Sequence, residues 1–297
     1  TLIYQLLKTK HKKVFLAGNM GLSPLDILKK TSKDSFVVLE LSSFELENLK
    51  KSPQVAVVTN IFPDHLNRYE SFESYKNAKK NIFRHQEKND ILVLNIKNKE
   101  LASQANSRVY FFSKSRTEGL KLAGEHNLEN IAAAETTAKA LGVDPEKAVQ
   151  VLRDFKGVPY RQELAARISG VDYYNDTAAT NPGSATAGLN VLSEKYKRII
   201  LIAGGEDKNL DYEKFASVAA EKAFKIILLP GSATEKIKKA LKQYESVLSM
   251  KEAVKKAASF ALRGDAVLLS PAAASFNLFK NEFDRGDCFV REVKKLK

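Results

Sequence analysis

The chain has 297 residues, 44% hydrophobic and 28% charged, with a formal net charge of +13 and a single cysteine. That is the length of two domains, each able to bury its own core; no run of eighteen apolar residues exists, so no membrane insertion is expected. One cysteine, Cys288, excludes an internal disulfide and fits a reducing, cytoplasmic compartment, and an inert packed thiol is expected there.

The positive charge would suit a polyanion. Its lysines, however, are scattered in pairs such as Lys29-Lys30, Lys79-Lys80, Lys238-Lys239 and Lys294-Lys295, without one dense basic block. No aromatic-interleaved single-strand-binding motif accompanies them, so nucleic acid is not an expected partner. Nucleotide substrates would benefit from the same field.

In chain order, Leu2, Ile3, Leu6 and Leu7 form an apolar stripe that predicts a helix. It has no preceding cap, so the chain is expected to begin inside a longer sequence. Lys13–Ala17 reads as a strand, followed by a glycine turn at Gly18–Gly21, and Ser23-Pro24 opens a helix with a cap and an N1 proline. Phe36–Leu41 is a second strand whose apolar run Glu40 interrupts. That carboxylate is either an edge-strand surface group or one facing a cation.

Val55–Thr59 is a short β-branched strand ending in Asn60, Pro63, Asp64 and His65. Ligand sites of open α/β sheets lie at that carboxyl edge. Phe72–Lys88 predicts a helix with Tyr75 and Lys79 on one face. Read alone, the stretch is equally a polar turn and a solvated basic helix. Strands are expected at Ile91–Asn95 and Val109–Phe112, and an alanine-rich helix at His126–Leu141. Asn127 and Asn130 near its start could cap it or read an adenine edge. A helix over Pro145–Asp154 leads to Gly157-Val158-Pro159, the expected domain boundary.

Beyond it, strands at Val171–Asn175, Ile199–Ala203, Lys225–Leu229 and Ala266–Ser270 alternate with helices at Pro182–Ser193, Tyr212–Ala223, Thr234–Tyr244 and Lys251–Ala261. Such alternation predicts a parallel sheet with helices on its faces. Gly204-Gly205 lacks the spacing of a dinucleotide fingerprint, so no hydride-transfer cofactor is supported.

Eight segments, in order, resemble one family. ELSSFELE (40–47), TNIFPDHLNRY (59–69), YKNAKK (75–80) and HNLENIAAA (126–134) resemble the central domain of the Mur ligases. YRQE (160–163), NDTAATNP (175–182), GGEDKNLDY (204–212) and SPAAASFNLFKNEFDRGDCF (270–289) resemble their C-terminal domain. ELSSF and SPAAASF favour the D-glutamate-adding branch. The resemblance implies an α/β protein: a central ATPase-type parallel-sheet domain over residues 1–157, followed by a Rossmann-like C-terminal domain over 158–297. The second would bind the amino acid and close over ATP.

The implied reaction is ATP-dependent amide-bond formation in peptidoglycan synthesis, joining D-glutamate to UDP-N-acetylmuramoyl-L-alanine through an acyl phosphate. A monomeric cytoplasmic enzyme is expected. Two anions must approach within bonding distance, so cations have to offset their repulsion. The resemblance gives Glu40, His65 and Lys79 to two magnesium ions. Lys79 matches a lysine carbamylated in the family, which makes chemical sense because magnesium takes hard oxygen ligands and an ammonium would repel it. Asn19 and Tyr75 fall at muramoyl-substrate positions, and Asn127, Asn130, Arg161 and Asp176 at nucleotide positions. Thr180, Lys208 and Ser275 match contacts to the D-glutamate carboxylates, with Lys208 the catalytic cation, and Arg285 lies near the same substrate face.

Departures accompany these matches. Tyr160 stands for a histidine, Ala178 for a lysine, and Glu282 for an aromatic residue that the neighbouring Phe283 could replace. The family's GKT/GKS phosphate loop is absent from the sequence, and Thr1 aligns just after it. The chain is therefore expected to fold but not to catalyse alone. The alternatives are another Mur or folylpolyglutamate-type ligase, and an inactive nucleotide- or nucleic-acid-binding fragment.

Overall fold

A computed structural model describes every residue except Met20, Gly21, Ala123 and Lys297. The Met20-Gly21 part of the expected glycine turn lies outside the described residues. Two compact units emerge, 1–62 with 70–156, and 63–69 with 157–297. The break after Lys156 falls at the Gly-Val-Pro interruption. The transfer of residues 63–69 to the second unit has a packing cause: Leu66 packs against that unit's core, and the Asn67 N–H donates to the Lys208 carbonyl at 3.2 Å.

The first unit opens with α1 (Leu2–Lys8), β1 (Val14–Gly18), α2 (Pro24–Leu28) and β2 (Phe36–Glu40). Ser23 caps α2 in a reciprocal capping box with Asp26, and Pro24 occupies the first turn, where its missing N–H costs nothing. After α3 (Ser43–Leu46) come β3 (Val55–Val58), α4 (Phe72–Arg84), β4 (Ile91–Asn95), a 3-10 stretch (Ile96–Gln104) and β5 (Arg108–Phe112). α5 (Glu125–Ala140) and α6 (Pro145–Asp154) close the unit.

Among the described residues all strand pairings here are parallel, but they form two sheets, β1-β2 and β3-β4-β5. α5 serves both. Its Ile131, Ala134 and Ala138 pack with α1 and α6, while Ala132 and Ala133 pack on Val93 and Phe112. A helix buried on two faces needs small side chains, which is why it is alanine-rich rather than amphipathic. α4 stops four residues short of the predicted Lys88. Gln86 leaves the helix so that its buried amide can donate to the Pro53 and Ile91 carbonyls, both at 2.9 Å, and Glu87–Asp90 turns instead.

The second unit holds β6 (Glu163–Ile168), β7 (Val171–Asn175), α7 (Pro182–Lys195), β8 (Ile199–Ala203), α8 (Glu213–Lys222), β9 (Lys225–Leu228) and α9 (Ser232–Lys239). The short β10 (Glu245–Ser246), α10 (Met250–Phe260), β11 (Ala266–Leu269) and α11 (Glu282–Val293) complete it. Its six strands lie in the order β10-β9-β8-β11-β7-β6, parallel except for β6. β7, β8 and β11 are buried along their whole lengths, as strands covered by helices on both faces must be. One core layer joins Leu201 and Leu268 to Leu189 and Phe215; the other joins Ile200 and Val267 to Val254 and Phe289. Cys288 lies in α11 beside the second layer, and burial pushes its thiol pKa up, as an inert packed cysteine requires.

Candidate active site

In the second unit the central strands β7, β8 and β11 run parallel, so the loops that follow them leave one edge of the sheet. The first, 176–181, carries Thr180. The second, 204–211, carries Lys208, and the third, 270–281, carries Ser275. Main-chain bonds lock the three together. Gly204 N–H donates to the Pro271 carbonyl, Ala272 N–H to Ala179, and Glu206 and Ala274 exchange a pair of 2.9 Å bonds.

Lys208 is 8% exposed, yet its ammonium donates to Thr180 Oγ1 at 3.1 Å and to Asp64 Oδ1 at 3.0 Å. Ser275 is 2% exposed and its hydroxyl has no partner among the described residues. A buried hydroxyl without a partner costs stability unless a ligand or water completes it. Ammonium, threonine hydroxyl and orphaned serine hydroxyl therefore lie on three interlocked loops, a donor set suited to a carboxylate.

Arg285 and Asp176 are turned inward. Arg285 is 1% exposed and spends its guanidinium on Thr177 Oγ1, the Thr177 carbonyl and the Ala273 carbonyl. It holds two of the loops from beneath rather than facing a ligand. Asp176 accepts from Ser270 Oγ at 2.8 Å and from the Gln162 N–H at 3.1 Å. Burial pushes its pKa up to about 7, the response of a carboxylate removed from water without a bonded cation. Arg161, by contrast, is exposed. Tyr160 has φ 65°, donates to Asp287 Oδ1 at 2.9 Å and meets Phe283 edge-on at 5.2 Å. The aromatic surface near Glu282 is thus built by Tyr160 and Phe283.

His65 belongs to this unit and is half-buried with φ 54°. Its N–H donates to Asp64 Oδ1 at 2.8 Å, and its Nε2 lies 3.9 Å from Asp64 Oδ2.

In the first unit, Glu40 is exposed at the carboxyl end of β2, and its carbonyl accepts from the Asn19 N–H at 2.8 Å. Gly18, opposite it, has φ 94°, and a Cβ there would lie 2.2 Å from the Glu40 carbonyl oxygen. Only glycine permits that approach. On α4 the Lys79 ammonium sits 5.0 Å from the centre of the Tyr75 ring, a cation–π distance. Lys80 turns the other way, to Glu73 at 3.2 Å and Asn77 at 3.0 Å. Geometry therefore separates two lysines that are adjacent in sequence.

Asn127 and Asn130 lie inside α5, whose N-cap is Gly124 with no side-chain cap bond, so neither asparagine caps the helix. Sequence reasoning missed their neighbour Glu129, which is buried and bonded to Asn95 Nδ2 at 3.3 Å and to Lys97. Nothing in the sequence singles it out, since the same helix also carries Glu125, Glu135 and Lys139.

Glu40 and Lys79 fall in the first unit and His65 in the second. Among the described residues no three His, Cys, Asp or Glu side chains cluster as a ready cation cage. An exposed carboxylate at a strand end fits magnesium, which binds few protein oxygens and keeps water or phosphate. An unmodified lysine ammonium does not.

An α/β unit of two parallel sheets, followed in the chain by a Rossmann-like unit, defines the class. The chain belongs to the Mur ligase family, the ligases of peptidoglycan synthesis: residues 1–120 match the Mur ligase middle domain, and residues 160–273 match the Mur ligase glutamate ligase domain. It is 39% identical to the UDP-N-acetylmuramoylalanine–D-glutamate ligase of Acetivibrio thermocellus, covering 100% of this chain and 71% of that protein. It is 38% identical to the ligase of the same name from Caldicellulosiruptor bescii, covering 100% and 72%. Among solved structures, the MurF ligase of Thermotoga maritima in complex with ADP superposes with a TM-score of 0.77 at 20% identity, covering 100% of this chain and 77% of that one.

Proposed function

We propose that this chain serves the ATP-dependent ligation of D-glutamate to UDP-N-acetylmuramoyl-L-alanine. One observation carries the amino-acid half: the buried ammonium of Lys208, beside Thr180 and in loops interlocked with the orphaned hydroxyl of Ser275. Such a set suits an anionic side chain, because a buried ammonium rewards a carboxylate far more than a neutral group. The relatives from Acetivibrio and Caldicellulosiruptor, named for D-glutamate ligation, support the same reading.

ATP with magnesium would supply the phosphoryl group that activates the muramoyl carboxylate as an acyl phosphate. The chain's own residues would hold and orient the reactants. Glu40 would offer magnesium an oxygen ligand, and His65, on the DHLN segment, would serve a second cation. Lys79, once carbamylated, would add oxygens of the kind magnesium accepts. Asn127 and Asn130 would meet the base, and Arg161 the phosphates. Asn19 and Tyr75 would contact the muramoyl substrate. Arg285 and Asp176, both internal, would keep the loops in register.

Calorimetric titration tests the reading. The chain should bind D-glutamate, and Lys208→Met should weaken that binding at least about ten-fold, the scale of one charge-assisted bond, with ATP affinity unchanged. Loss of ATP binding with glutamate binding intact would assign Lys208 to the nucleotide instead.

A further inference from the structure

The Lys208 ammonium already has an anionic partner. Asp64, from the transferred segment 63–69, reaches it at 3.0 Å, and both side chains are nearly buried, with 10% of Lys208 and 15% of Asp64 exposed. Two further donors hold the carboxylate, the His65 N–H at 2.8 Å on Oδ1 and Asn181 Nδ2 at 3.3 Å on Oδ2. The Asn181 amide cannot swing away cheaply, since its Oδ1 caps α7 through the Ser184 N–H at 2.9 Å. Leu66 and the Asn67 N–H anchor the same segment to this unit.

We infer that Asp64 is an internal placeholder in the amino-acid site, a carboxylate of the chain that holds the Lys208 ammonium until the carboxylate of a dicarboxylic amino acid competes for it. The inference rests on the reading of Lys208 given above. Its chemistry is that of like charges at one cation. Asp64 and Thr180 take two of the three ammonium protons, so an incoming carboxylate either displaces Asp64 or adds beside it. In both cases the ligand must offset the negative charge of Asp64, at a site where burial leaves little water to screen it. Ala178, on the Thr180 loop, supplies no second cation. The pair also has a use without ligand: it keeps a buried ammonium from standing uncompensated. Asp64 thereby sets affinity for the amino acid without being required to touch it.

Removing the charge while keeping the shape separates this role from simple support. D-glutamate is titrated calorimetrically into the 297-residue chain and into Asp64→Asn. The amide still accepts from Lys208 and His65, so a placeholder predicts binding about ten-fold tighter than in the parent, the size of a single unfavourable charge contact. Asp64→Ser, also neutral, should tighten binding in the same direction and serves if the asparagine variant does not fold. Unchanged or weaker binding in the folded neutral variant overturns the placeholder, as does absence of binding in both parent and variant. Lys208→Met distinguishes the two levels: if it leaves D-glutamate binding intact, the underlying assignment of Lys208 falls. If it abolishes binding while Asp64→Asn fails to tighten it, only the placeholder falls.

Discussion

Arg285 and Thr177 are joined twice, through guanidinium Nε to Thr177 Oγ1 at 3.0 Å and Nη2 to the Thr177 carbonyl at 2.9 Å. The remaining nitrogen donates to the Ala273 carbonyl at 3.0 Å. One side chain of α11 thus ties the loop carrying Thr180 to the loop carrying Ser275. Arg285→Met would leave two buried carbonyls without donors, at about 1–3 kcal/mol each. Denaturant unfolding should show a loss on the order of 2–6 kcal/mol, and D-glutamate binding should weaken with it. A variant as stable as the parent would show that the loops are held by other means.

Asp176 gives the fold a pH dependence whose sign is fixed. Burial raises its pKa to about 7 in the folded chain, whereas in the unfolded chain it titrates near 4. Between those values the folded state holds a proton that the unfolded state has released. Stability is therefore greatest below pH 4 for this group and is lost as pH rises toward 7, at a slope of at most about 1.4 kcal/mol per pH unit. The charged group facing it is Arg161, whose field partly opposes the rise. Comparing denaturant curves at pH 5, 6 and 7, Asp176→Asn should flatten the decline seen in the parent. An unchanged slope would place the proton elsewhere.

Gly205 lies where the GGED loop meets the loop after β11. Its φ is 142°, and a Cβ would lie 2.2 Å from the Ala274 carbonyl oxygen. Gly205→Ala must push the two loops apart, at about 1–3 kcal/mol for overpacking and backbone strain together. The Glu206–Ala274 bonds would go first, and with them the spacing of Lys208 and Ser275. Thermal melts should register the instability, and calorimetry the loss of D-glutamate binding; intact binding would mean the loop pairing does not set the site.

Lys79 is the residue for which carbon dioxide matters. Its ammonium rests over Tyr75, while a carbamate would reverse its charge and make it a ligand for a hard cation. With ¹³C-bicarbonate, the chain should show a carbamate resonance that magnesium sharpens and Lys79→Ala removes. A resonance that survives Lys79→Ala, or none in the presence of magnesium, would contradict the assignment.

Much of the fold was legible because its signals are local. The strands at Ile91–Asn95, Val171–Asn175 and Ile199–Ala203 match their expected bounds residue for residue; the first and third are near-continuous apolar runs, as buried parallel strands are. β6 was missed because ELAARI is poor in β-branched residues; the signal was the Ser169-Gly170 turn, where φ of 51° and 79° close a two-residue hairpin. The motifs named the Thr180, Lys208 and Ser275 loops, because residue type at a strand end follows from sequence order.

Which groups actually meet was decided by the tertiary structure. Nothing local tells Arg285 and Asp176 to face inward, or distinguishes Lys79 over the Tyr75 ring from Lys80 against Glu73. Nor does spacing bring Asp64 to Lys208, 144 positions away in the chain. That pairing depends on Leu66 finding the apolar core of the second unit. Helix and strand periodicity are fixed by neighbours a few residues apart, whereas a buried ion pair depends on which surfaces pack, a property of the whole folded chain.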